Sequence, residues 1–267
     1  MDDRPIGVFD SGFGGLTVAR AMIDLLPGED LVYFGDTGRY PYGPQPLDHV
    51  REYARQITSV LVDRHGVKMV VVACNTAAAA ALDVLRFEHE VPVIGVVDPG
   101  VRSAITATRN GRVGVIGTVG TIGSGAYQRA VEATRSPVVL TSAACPGFVE
   151  FVERGEVRSE QVHVLAERLL APLMAAGVDT LLLGCTHYPF LARTIGDVMG
   201  RDVVLVDSAD ETAFEVRAIL EETGQGHRPG SVGKHRFVSS GDVATFAALG
   251  RRLLGPELDD VEGWEWA

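Results

Sequence analysis

Apolar runs of strand length recur along the chain, and stretches with helical periodicity separate most of them. The runs are Ile6–Phe9, Leu31–Phe34, Met69–Ala73, Val93–Val97, Val113–Ile116, Val138–Leu140, Leu181–Leu183 and Val203–Val206. Between them, Asp48–Arg64 spaces Val50, Ile57, Val60 and Leu61 along one helical stripe, and Ser159–Ala176 and Ser208–Thr223 also read as helices. Strands that alternate with helices predict parallel sheets covered on both faces, and near-continuous apolar strands fit that burial. The pattern therefore predicts an α/β protein.

The runs also repeat. IGVFDSGFGG, from Ile6, lies over VGVIGTVGTIG, from Val113, which sets Asp10 over Gly117 and Ser11 over Thr118. YFGDTGRYPYG lies loosely over VLTSAACPGF. VVVACNTA lies over LLLGCTHY, with Cys74 and Cys185 separated by 111 positions. VIGVVD, ending at Asp98, lies over VVLVD, ending at Asp207. Two similar α/β halves follow, each with a cysteine at the same point.

Composition narrows the class. A chain of 267 residues suffices for one large domain or two small ones. No apolar run reaches the roughly 18 residues of a membrane span, and the acidic start MDDRP is no signal peptide, so a cytoplasmic protein without membrane partners is expected. Three cysteines make no disulfide framework, which points to free thiols in a reducing compartment. The net charge of −11 argues against direct nucleic-acid binding, and leaves any anion site to local backbone N–H groups.

The candidate chemistry gathers where strands end, because ligands of open α/β sheets bind beyond the carboxyl ends of the strands. Cys74 closes a strand ahead of Asn75, Thr76 and an alanine run of high helix propensity, with Asn75 or Thr76 suited to the N-cap. A helix amino terminus stabilises an anion, so a thiolate is expected there, below the reference value of about 8.5. Cys185 repeats the layout with Thr186 and His187 ahead of Pro189, a residue suited to a first helical turn. A lone cysteine at a strand end is more often a small buried hydrophobe. Two matched ones with polar followers point to function. Cys145, before Pro146, has no such twin and reads as structural. Asp10 ends a buried strand, where an unpartnered acid is costly. Tyr42–Gly43 follow the second strand, with Tyr42 readable equally as a packed aromatic, and Thr118 and Thr121 follow the matching strand of the second half. GFGG, from Gly12, serves close helix–strand packing or anion binding, and does not match a dinucleotide fingerprint.

DSGFGGL, GDTGRYPYG, VACNTA and LGCTHYPF, in this order and spacing, resemble the cofactor-independent glutamate racemases of bacterial peptidoglycan synthesis. The resemblance runs from Ile6 to about Gly250. It implies interconversion of L- and D-glutamate by two cysteines on opposite faces of the substrate, with no cofactor and no metal. It also implies two similar parallel-sheet α/β domains related by a pseudo-twofold axis, with the active site between them. The carboxyl-terminal segment returns to the first, giving domains 1–97 with 208–267 and 98–207. Carried onto this sequence, the bases are Cys74 and Cys185, and the substrate-binding pairs are Asp10–Ser11, Tyr42–Gly43, Asn75–Thr76 and Thr186–His187. Glu153, in FVERG, matches the acidic residue of the family near the second cysteine. Ala78 stands where many members have serine. The resemblance also allows a homodimer and, as said of some members, inhibition of a DNA topoisomerase.

The chemistry suits the layout. Inversion without a cofactor removes a weakly acidic proton from one face and returns one to the other, and one base cannot easily serve both. Asp10 is assigned to tune Cys74 and His187 to tune Cys185. Ser11, Gly43, Asn75, Thr76 and Thr186 are assigned as donors to the substrate and its developing charge. Rival readings are an enzyme of the same design acting on aspartate or hydantoin, a metal site, a redox enzyme and a regulatory module. The CTH spacing, with no CxxC or HxxxH run, speaks against metal, and separate helix starts speak against a redox pair. The acidic stretch PELDDVEGWEWA reads either as a docking segment or as a disordered end.

Overall fold

The computed structural model describes residues 1–228, 230–258 and 260–266. The chain divides into two compact units, Met1–Val96 with the stretch from Ala209 onward, and Val97–Ser208.

The first unit opens with β1 (Ile6–Asp10), α1 (Leu16–Leu25), β2 (Leu31–Gly35), α2 (Leu47–Asp63), β3 (Met69–Val72), α3 (Asn75–Glu88) and β4 (Val93–Gly95). Every residue of these four strands is buried, which is why they read as apolar runs without alternation. The second unit contains α4 (Val97–Ala107), β5 (Arg112–Gly117), α5 (Val119–Gly123), α6 (Ala126–Thr134), β6 (Val139–Ala144), α7 (Phe148–Glu153), α8 (Glu160–Ala176), β7 (Thr180–Gly184), α9 (Ala192–Met199) and β8 (Val204–Val206). The chain then returns to the first unit with α10 (Ala209–Thr223), β9 (His235–Ser239), α11 (Val243–Leu254) and β10 (Val261–Gly263).

Among the described residues, all strand pairs in both sheets are parallel. The order is β10-β9-β2-β1-β3-β4 in the first unit and β6-β5-β7-β8 in the second. Second, first, third, fourth is thus the order in both four-strand sets, so the sequence repeat is a repeat of topology. The first unit adds two strands beyond β2.

Local rules account for the boundaries. The helix read from Ser159 is α8, with the Ser159 hydroxyl accepting the Val162 N–H at 3.3 Å and Gly177 closing it at φ 66°. The strand read as Val93–Val97 is shorter than expected. Val97 and Asp98 begin α4, whose first turn tolerates Pro99 because the N–H groups there have no intrahelical acceptor. In the first unit α1 packs on α10 and α2 on α3. In the second unit Phe148, Leu170, Leu173, Leu181, Leu183 and Tyr188 form the centre of a continuous apolar core.

The strand ends are flush. Asp10 pairs with Gly35, and Phe9 with Val72, so β1, β2 and β3 release Ser11, Asp36 and Ala73–Cys74 along one edge. In the second unit Gly117 pairs with both Ala144 and Gly184, so β5, β6 and β7 release Thr118, Cys145 and Cys185 along the corresponding edge.

Candidate active site

At the first edge the Asp10 side chain is completely buried, and its Oδ2 accepts the Gly12 N–H at 2.9 Å. Gly15 is required here for space. A Cβ on it would lie 2.6 Å from the Asp10 Cβ and 2.9 Å from the Tyr33 hydroxyl. The GFGG turn thus serves close packing of α1 against the strand ends. The Tyr33 hydroxyl donates to the Gly12 carbonyl at 2.9 Å and fixes the turn from below.

Cys74 is 5% exposed and is itself the N-cap of α3, where its Sγ accepts the Ala77 N–H at 3.5 Å. Asn75 and Thr76 are therefore the first and second helical residues, one and two positions past the N-cap, and both are buried. The Cys74 thiol points to the Ser11 hydroxyl at 3.7 Å. The expectation of a resting thiolate does not hold. Burial, reinforced by the Asp10 carboxylate, pushes the Cys74 thiol up to about 12. The Ala77 N–H and Ser11 oppose that shift without offsetting it.

Asp36, which the sequence reading passed over, organises the next loop. Its side chain is fully buried and accepts from the Tyr42 hydroxyl. Tyr42 is thus a packed aromatic, its phenol raised far above its ordinary value by burial and by Asp36. Gly43 beside it is half-buried. The signal for Asp36 was available, since it follows a buried strand just as Asp10 closes one.

At the second edge β7 delivers Cys185, Thr186 and His187, all buried. Pro189 lies in a single 3-10 turn, Tyr188–Leu191, ahead of α9, rather than in an α-helix. The His187 Nδ1 lies 4.0 Å from the Cys185 Sγ and 3.5 Å from the Thr186 hydroxyl. Burial pulls the His187 imidazole down to about 4, so it is neutral at pH 7. Thr118 caps α5 by accepting the Thr121 N–H at 3.1 Å, and the two hydroxyls lie 2.9 Å apart. Both threonines therefore shape the backbone after β5. Glu153 is half-buried at the end of α7, which packs on the 3-10 turn after His187 through Phe148 and Tyr188, ring centroids 5.4 Å apart. Cys145 is 1% exposed in the core, burial pushes its thiol up to about 12, and its carbonyl accepts the Tyr188 hydroxyl at 3.1 Å.

None of the three cysteines forms a disulfide. Among the described residues no cluster of three or more His, Cys, Asp or Glu side chains is placed to hold a metal ion, and no helix is long and apolar enough to cross a membrane.

A model of the Asp/Glu/hydantoin racemase family matches residues 6–216. The chain belongs to this family. Within it, a glutamate racemase from Parafrankia sp. is 53% identical over 262 residues, covering 98% of this chain and 94% of that protein. A crystal structure of a glutamate racemase isoform from Bacillus anthracis is 40% identical, covers 100% of this chain and 98% of its own, and superposes with a TM-score of 0.93. A glutamate racemase from Francisella tularensis, solved in complex with D-glutamate, is 33% identical, covers 99% and 98%, and gives a TM-score of 0.92. The racemase family match spans both cysteines and ends within α10, so β9, α11 and β10 lie beyond it.

Proposed function

We propose that the chain interconverts L- and D-glutamate by proton transfer between two thiols and the α-carbon. In the cytoplasm it supplies D-glutamate for peptidoglycan. The observation that carries the reading is the matched pair of thiols, Cys74 and Cys185, each following the third strand of a repeated sheet. Relatives named glutamate racemase, one of them solved with D-glutamate, support the substrate.

Cys74 and Cys185 are the bases, one for each face. One starts as thiolate and the other as thiol, and the roles exchange with the hand of the substrate. In the free protein burial and the Asp10 charge hold Cys74 as a neutral thiol. The α-ammonium of arriving glutamate supplies the positive charge that lets a thiolate form. A thiol of raised proton affinity is also the better base toward a weakly acidic C–H. Neutral His187 beside Cys185 accepts or donates a hydrogen bond without adding charge. Ser11, Gly43, Asn75, Thr76 and Thr186 hold the carboxylates and the developing enolate charge through hydroxyl, amide and backbone donors. Thr118 and Thr121 shape the turn after β5, and Glu153 is the acid on the Cys185 side.

The test is racemisation of L-glutamate in deuterium oxide by pure protein without added cofactor, stopped early. New D-glutamate carries α-deuterium while residual L-glutamate carries almost none. Cys74→Ala and Cys185→Ala each stop racemisation. Solvent label washing equally into substrate and product, or a Cys185→Ala protein racemising at the parent rate, overturns the two-base mechanism.

A further inference from the structure

The loop that carries Tyr42 and Gly43 is held from the far end of the sequence. The two carboxylate oxygens of Asp36 receive four donors. Oδ2 accepts from the Tyr42 hydroxyl and, at 2.7 Å, from the Arg39 Nε. Oδ1 accepts from the Ser240 hydroxyl at 2.6 Å and from the Trp266 indole N–H at 2.9 Å. The Arg39 guanidinium lies between two rings, 3.8 Å from the centroid of Trp266 and 4.2 Å from that of Tyr53, and its Nη1 donates to Gln56 at 2.5 Å. Gln45 then donates to the Arg39 carbonyl at 2.6 Å and to the Pro41 carbonyl at 3.0 Å, closing the loop on itself.

Trp266 is well placed to be a fixed point. Its ring packs on Phe34 of β2 at 5.6 Å and on Trp264 at 5.8 Å. The Trp264 N–H donates to the Ser239 carbonyl at 2.8 Å, just after β10 pairs with β9. A buried carboxylate needs its donors, and a hydrogen bond to a charged group is among the stronger ones. The indole supplies one such donor to Asp36 and covers the cation that supplies another.

We propose that Trp266 is a positioning residue of the active site, holding residues 36–45 in the shape that presents Gly43 to substrate. This rests on the assignment of Gly43 to glutamate binding. Trp266 touches no substrate and acts through Asp36 and Arg39.

Two readouts on the full-length protein test it. In steady-state racemisation, Trp266→Ala raises KM for glutamate about tenfold with kcat much less affected, the scale of one hydrogen bond to a charged group. Trp266→Phe keeps a ring over Arg39 but loses the N–H, and raises KM by about threefold. In hydrogen exchange read by mass spectrometry, peptides covering 36–45 exchange about tenfold faster in Trp266→Ala while those of β1 and β3 stay protected. If Trp266→Ala does not fold, the Trp266→Phe values decide. Parent-like KM with a lowered melting temperature, or unchanged exchange across 36–45, overturns the proposal. The exchange readout needs no activity. A parent protein that fails to racemise glutamate removes the functional reading, while the exchange result still tests the role of Trp266.

Discussion

At the scale of single residues, the two thiol strands place a titratable group where water is excluded, and each such group makes the fold answer to pH. Cys74 is held up to about 12 against an ordinary 9.0. The folded state therefore keeps a proton that the unfolded chain releases. That contribution is fully present below pH 9.0 and is lost as pH rises toward about 12. The same shift predicts slow alkylation of Cys74 by iodoacetamide in the free protein, its rate still climbing, without a plateau, past about pH 10. Peptide mapping by mass spectrometry checks this, and a plateau near neutral pH contradicts it. His187 acts at the other end. Its imidazole sits at about 4 against an ordinary 6.5, so the unfolded chain takes up a proton that the folded state refuses. Stability from this group is present above pH 6.5 and falls as pH drops toward about 4. Melting temperature measured across that window should fall less steeply for His187→Gln than for the parent. Parallel curves would show that His187 does not titrate as its burial requires.

At the scale of elements, the closeness of neighbouring strands at the site edge depends on glycine. A Cβ on Gly184 would stand 2.7 Å from the Ile116 carbonyl oxygen and 2.9 Å from the Tyr127 ring and hydroxyl. Gly184→Ala should push β7 from β5 just before Cys185 and cost about 1–3 kcal/mol, read from the urea midpoint. No change in midpoint would mean that the strands have room to part. Elements also show what the sequence can carry. Strands β1–β5 and β7 were legible because burial makes them apolar runs, while β6 and β8, which hold no buried residue, showed only the short apolar runs Val138–Leu140 and Val203–Val206. Strand β9, HRFVS, was not, because His235 and Arg236 break its apolar pattern, and β10 is three residues of which two are exposed. Their strand character comes from pairing with β2 and with each other, which no local pattern encodes. The cysteines, Asp10 and the polar residues after each strand were legible from their place in the pattern. The state of Cys74 was not, because a helix start visible in sequence favours thiolate while burial, visible only in the fold, disfavours it more. Trp264 and Trp266 stood out as residues, yet only the fold shows what they rest on. Asp259 and Ala267, within the same acidic stretch, lie outside the described residues.

At the scale of the molecule, the first unit is assembled from segments distant in sequence, and a buried ion pair ties them. The Lys68 side chain is fully buried, with Nζ 2.6 Å from the Glu29 carboxylate. It also donates to the carbonyls of Asp2 at 2.7 Å and Gln225 at 2.9 Å, while Glu29 accepts the His227 N–H at 2.7 Å. Lys68→Met strands the Glu29 charge and should cost about 3–5 kcal/mol, whereas Lys68→Met with Glu29→Gln should recover much of it. Both tryptophans lie in this unit, so urea unfolding followed by tryptophan fluorescence reports it selectively. A double variant no more stable than Lys68→Met would contradict the coupling.

The insertion of the second unit into the first also sets an order of events during synthesis. Unit Val97–Ser208 is continuous, and all its strands are synthesised before β9 and β10. Until then β2, fully buried in the finished protein, is an open sheet edge, the kind that invites foreign strands. The nascent chain thus carries an adhesive flank through most of its translation. Shielding by a chaperone over that interval, rather than any property of the finished enzyme, would govern how much of it is recovered intact when expression is fast.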